Sequence, residues 1–244
     1  TSTLVLTTPQ CTYLDIRLLK PLFPSPPPAS TPTPSSILPI TGGPSFALEW
    51  AFCGQSSTSP ASPQVLSAST LPVKHATWHH WLDSRFSVGS PEIPRDEGDM
   101  YTVSANQTCE FGSAWNAAGN AVVSYEEMWE DMRIKSTDTD ADKVKKRIQA
   151  MVLRLDESAH GVRGMVVRVG QFVQGMLKRG NEVTVERWEF LEKRDAQGKV
   201  VGGDWTRLVR LGDLFLPCAV AFEPEKVEVG NTVTYELFAW VVEE

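Results

Sequence analysis

An all-β fold with only minor helix is the class this sequence predicts, built as two similar antiparallel β-barrel domains that arose by duplication. Three observations carry that expectation. Outside the two Pro/Ser-rich stretches, the chain reads mainly as runs of strand character. These are rich in Val, Leu, Thr and aromatics and bounded by Gly, Pro, Asp or Asn. The helical period is nearly absent. A set of short matches also recurs in the same order on either side of a charged segment.

Along the chain, STLVLTT and YLDIRLL open the first half, followed by a proline-rich stretch, PLFPSPPPASTPTPSSILP, at 21–39. Proline lacks the N–H and fixes φ, so this stretch is expected as a surface loop of polyproline II character. SFALEWAF is the next strand, and the Ser/Pro-rich QSSTSPASPQ at 55–64 is read as a second loop. WHHWL continues the sheet, Asp96-Glu97-Gly98-Asp99 reads as a turn, and SYEEMWEDM at 124–132 is a short helix candidate. ADKVKKRIQAM at 141–151 is a second. The remaining strands are AMVLRL, GMVVRVGQFVQGML, VTVERWEFLEK, TRLVRLG and VTYELFAWVV. STDTDADKVKKR, acidic then basic, divides the chain as a linker at 136–147 between domains at 1–135 and 148–244.

The duplication rests on paired strings. WAFCG, WHHWLDSR and EGDMYTV in the first half answer to GQFVQG, RWEFLEKR and GGDWTRL in the second, with Cys53 matching Gln174. Trp81 then aligns with Phe190, His79 with Trp188 and Asp83 with Glu192. Two units of this kind are expected to close or nearly close, because closure removes exposed strand edges.

Bulk properties limit function. The net charge of −7 disfavours attraction to nucleic-acid phosphates or anionic lipid. No apolar run approaches the length of a membrane span. The four cysteines show no CxxC pair and no disulfide spacing, and are expected as buried thiols in a reducing compartment, cytoplasmic or nuclear. Neither GxGxxG nor GxxxxGK[ST] occurs, and no cofactor is expected.

FALEWAFCG, the WLDSR strand, SYEEMWEDM and above all GMVVRVGQFVQGMLKRGNEVTVERWEFLEK resemble a fungal family named for a yeast protein that interacts with a casein kinase I homologue. The likeness covers nearly the whole chain apart from the proline-rich stretch. It implies two calycin-like, lipocalin-like barrels and a casein kinase I partner. It carries over no catalytic residue.

The histidine cluster ATWHHWLDSR is the one candidate constellation. Strand alternation sets His75, His79, Trp81 and Asp83 on one side and Trp78, His80 and Leu82 on the other. His75 and His79 would stand about 13 Å apart, too far for one metal ion without a bulge, so no metal is expected. His79, where the second half has Trp188, is the candidate interior histidine. With Trp81, Trp188 and Phe190 it is expected to line a barrel cavity for a small apolar ligand. The favoured function is therefore a non-enzymatic binding protein with a protein partner, and with self-association into a homodimer as a further expectation. The alternative is an isomerase- or cyclase-like enzyme for a small hydrophobic substrate, with His79 as acid or base.

Overall fold

A computed structural model describes residues 1–20, 45–116, 121–138 and 148–244. Among these are fourteen strands in two seven-stranded antiparallel sheets, each curled into a half-barrel. The proline-rich stretch at 21–39 and most of the 141–151 helix candidate lie outside the described residues.

The first sheet is a meander of β1 (Ser2–Thr7), β2 (Thr12–Leu18), β3 (Leu48–Pro60), β4 (Val73–Asp83), β5 (Arg95–Ser104), β6 (Gln107–Asn116) and β7 (Ala121–Glu130). The second contains β8 (Ala150–Glu157), β9 (Val162–Val169), β10 (Phe172–Arg179), β11 (Glu182–Arg194), β12 (Val200–Leu211), β13 (Thr232–Tyr235) and β14 (Phe238–Val242). Its order is β12-β11-β10-β9-β8-β14-β13. Followed around a circle, the two orders are the same, with the break in a different place. The first half-barrel opens between β1 and β7, whereas the second joins β14 to β8 and opens between β12 and β13. This shared cyclic order is the structural counterpart of the internal repeat.

Four expectations are corrected by the structure. SYEEMWEDM is not a helix but most of β7, where half-buried Tyr125, Glu127 and Trp129 alternate with exposed Glu126, Met128 and Glu130. Ten-residue pairing with β6 outweighs the helix preference of its Glu and Met. The Asp96–Asp99 turn is the paired interior of β5, and residues 55–60 of the second expected loop extend β3 against β4. Cys11 is exposed in the β1–β2 turn at φ 65°, while Cys53, Cys109 and Cys218 are buried.

The two half-barrels share one core. Leu14, Ile16 and Leu18 of β2, Ala51 and Cys53 of β3 and Leu82 of β4 pack against Val152, Met165, Val167, Met176, Val185, Val209 and Leu211 of the second sheet. Each of the larger side chains contributes roughly 1.5–3 kcal/mol by leaving water. A polar joint crosses this apolar interface. Gln174 on β10 donates through Nε2 to the Leu4 and Leu14 carbonyls, at 3.0 and 3.1 Å. Arg187 on β11 donates to Gln174 Oε1 at 2.9 Å, to the Ile16 carbonyl at 2.9 Å and to Ser2 Oγ at 3.1 Å. These bonds fix the sheets' relative position, because apolar contact alone is not directional.

Candidate functional site

The two half-barrels differ inside. The second is filled by its own chain: the connection from β12 to β13 folds inward, placing Leu214, Leu216, Cys218 and Ala221 against Val166, Val173, Leu177 and Trp240. Gly175 allows this, since a Cβ there would lie 2.8 Å from Cys218 Sγ. Arg168, fully buried, pins the plug by donating to the Ala221 carbonyl at 2.6 Å and the Phe222 carbonyl at 3.1 Å. The first half-barrel has no such plug among its described residues. It holds a cavity of about 760 Å³.

The cavity follows from the alternation of β2. Leu14, Ile16 and Leu18 face the shared core, so Tyr13, Asp15 and Arg17 point the other way, into the half-barrel. Phe52 of β3, Trp78 of β4, Asp96 and Met100 of β5, Glu110 of β6 and Tyr125 and Trp129 of β7 complete the wall. Arg17 reaches towards the open seam. Its Nε donates to Asp15 Oδ2 at 3.0 Å, and its Nη1 and Nη2 donate to Glu127 at 2.7 and 3.3 Å. Trp50, Phe52 and Trp129 surround its guanidinium at 5.6–5.7 Å. Glu110 accepts from Tyr125 Oη at 2.8 Å and from Trp129 Nε1 at 2.7 Å.

Burial dominates the electrostatics. It pushes the Asp15 carboxyl up to about 6, with the Arg17 charge opposing the rise. It also raises Glu110, against the hydrogen bonds from Tyr125 and Trp129. The Tyr13 phenol is pushed well above its ordinary value, first by burial and then by the negative surroundings of Cys53, Asp96, Asp15 and Asp83. Tyr13 Oη and Asp15 Oδ1 are both buried without a hydrogen-bond partner among the described residues.

Behind the wall lies the histidine that faces inward, and it is His80 rather than His79. A bulge opposite Cys53 and Gly54 leaves Trp81 out of register, so His80 pairs with Gly54 and Leu82 with Cys53. His80 and Asp83, three residues apart, therefore meet on one face, with Nδ1 to Oδ2 at 3.0 Å. Asp83 also accepts from Trp50 Nε1 at 3.0 Å and from the Arg85 backbone N–H at 2.7 Å. Asp96 Oδ2 stands 3.3 Å from His80 Nε2, a charge contact without directed hydrogen-bond geometry. The ring stacks on Phe52 at 4.1 Å. Burial acts to lower the His80 pKa, but Asp83 and Asp96 outweigh it and the net shift is upward. The two carboxylates lie on opposite edges of the imidazole and do not converge on a point. Among the described residues no group of three or more His, Cys, Asp or Glu forms a metal-ligand set.

The four residues singled out in the sequence do not meet at one place. His79 is exposed on the outer face of β4. Trp81 lies between the sheets, under the guanidinium groups of Arg154 at 3.9 Å and Arg163 at 4.7 Å. Trp188 and Phe190 stand in the second half-barrel, where Trp188 packs on Phe222 at 5.1 Å and Phe190 on Trp205 at 5.6 Å. With Gly54 and Gly175 taken as equivalent, the register matches His80 with Glu186 and Asp83 with Trp188. The string alignment of His79 with Trp188 is therefore three to four residues out of the structural register, of which the bulge accounts for one. Tyr13, Asp15 and Arg17 were legible only as strand. Their signal is the polar–apolar alternation of TYLDIRL, which does not say which side is hollow.

The family model described as Protein HRI1 matches residues 1–244. Protein HRI1 of Saccharomyces cerevisiae strain S288c is 25% identical over 211 residues, covering 81% of this chain and 79% of that protein. The same protein from strain YJM789 matches with the same identity and coverage. The crystal structure of an uncharacterized protein from Saccharomyces cerevisiae is similar at a TM-score of 0.61 and 19% identity, covering 99% of this chain and 90% of that one. At that identity the likeness shows the fold.

Proposed function

The chain belongs to the HRI1 family, and from that premise we propose a non-catalytic binding protein whose first half-barrel takes a small molecule with an apolar body. The observation that carries this reading is the contrast between the interiors: one is filled by the chain's own Leu216, Cys218 and Phe222, the other is, among the described residues, open and ringed by aromatic side chains. A volume of about 760 Å³ falls within the range of small-molecule sites, roughly 300–1,000 Å³. Acid–base chemistry is the weaker reading. His79 faces solvent, and the His80 side chain is fully covered, so a bound molecule would meet neither ring inside the cavity. A protein partner of casein kinase I type, which the family resemblance suggests, would engage the outer surface.

The neutral fluorophore N-phenyl-1-naphthylamine tests the cavity. Its emission should rise saturably at one equivalent per chain. Thr108→Trp, which fills space at the cavity wall, should abolish that rise while the circular dichroism spectrum is kept. A rise that never saturates, or that survives Thr108→Trp, would remove the reading. Biolayer interferometry with purified casein kinase I tests the partner, and absence of binding at about 10 µM would sink that part.

A further inference from the structure

We infer that the molecule held in the first half-barrel carries a protonated amine on an aromatic-sized apolar body, with the amine seated against Asp15. This deepens the cavity reading and rests on it. The first ground is charge. The described lining residues include five carboxylates, Asp15, Asp96, Glu110, Glu130 and Asp131, and a single guanidinium, Arg17. Arg17 is not free to receive an anion, because Asp15 Oδ2 and Glu127 already hold it at 3.0 and 2.7 Å. No free cation is therefore left on the described lining to receive an anionic ligand, which would meet Asp15, Asp96 and Glu110 instead.

The second ground is independent of the charge count. Asp15 is 2% exposed and Tyr13 fully buried, both line the cavity, and each has an oxygen without a partner. A buried carboxylate oxygen left unpaired costs free energy that a donor would recover. An ammonium group can donate to Asp15 Oδ1, which a carbonyl or ether cannot, while the neutral Tyr13 hydroxyl can accept from an amine or donate to a carbonyl and so does not discriminate. The third ground is the wall. The rings of Phe52 and Trp129 already hold one cation, that of Arg17, and aromatic rings such as the half-buried Trp129 attract cations over neutral polar groups.

The test displaces N-phenyl-1-naphthylamine from the full chain with three indole probes of matched size: tryptamine, neutral 3-ethylindole and anionic indole-3-propionate. Tryptamine should compete about tenfold or more better than the neutral probe, the increment of one charge-assisted hydrogen bond, and indole-3-propionate should compete worst. Asp15→Asn should lower tryptamine affinity about tenfold, with near-ultraviolet circular dichroism reporting that the interior packing is kept. Equal or better competition by the neutral or anionic probe, with the fluorophore still saturating, overturns the amine and leaves the cavity reading standing. A fluorophore that does not saturate removes both.

Discussion

Gly54→Ala is predicted to cost about 3 kcal/mol and to disturb the interior of the first half-barrel more than its outer strands. An ideal Cβ at this position would lie 1.9 Å from the His79 carbonyl oxygen and 2.8 Å from the Trp81 amide nitrogen. Both atoms are backbone, so no side-chain rotation relieves the contact. β4 would have to move outward by roughly 1 Å, which strains the shared core through Trp81 and Leu82. Overpacking of this kind costs about 1–3 kcal/mol by itself. The same movement flattens the bulge that brings His80 within 3.0 Å of Asp83, loosening a buried charge-assisted hydrogen bond as well. Guanidinium denaturation followed by tryptophan fluorescence measures the loss, and near-ultraviolet circular dichroism reports Trp50 and Phe52 beside His80. A change below about 0.5 kcal/mol with an unaltered near-ultraviolet spectrum would refute the reasoning, since it would mean β4 accommodates the methyl without moving.

Two further perturbations probe the interior and the joint. Asp15 keeps its proton in the folded state up to about 6, whereas the unfolded group ionises near 3.8. The folded protein therefore holds the extra proton between those values, and the stability this group contributes falls as pH rises through that window, by about 3 kcal/mol. Asp15→Asn removes that slope, so the variant should gain on the wild type between pH 4 and pH 7; a pH-independent difference in denaturation midpoints would contradict the assignment. Arg187→Met leaves Gln174 Oε1 and the Ile16 carbonyl without the donors they have in the intact joint, for a loss of about 3 kcal/mol. The shared core predicts that both sheets still melt in one transition, which fluorescence and far-ultraviolet circular dichroism should trace together; two separated transitions would show that the joint, not the core, couples them.

The sequence by itself determined the fold class, because a period of two in runs such as TYLDIRL and VTVERWEFLEK is a local property of strands. It also pointed to a repeat, which the shared cyclic strand order supports, although the aromatic strings were paired out of register. It misread β5 and β7, where Asp, Gly, Glu and Met imitate a turn and a helix, since pairing with β6 is a long-range interaction that local preference does not record. Only the tertiary structure decided what each face meets. Alternation says that Tyr13, Asp15 and Arg17 share a side, yet the side becomes a cavity wall because Leu14, Ile16 and Leu18 are taken by the other sheet. Likewise one bulged residue, Trp81, put His80 rather than His79 on the same face as Asp83: a strand reverses every later side chain at a single-residue slip, and Gly54 on the neighbouring strand leaves room for the close approach there.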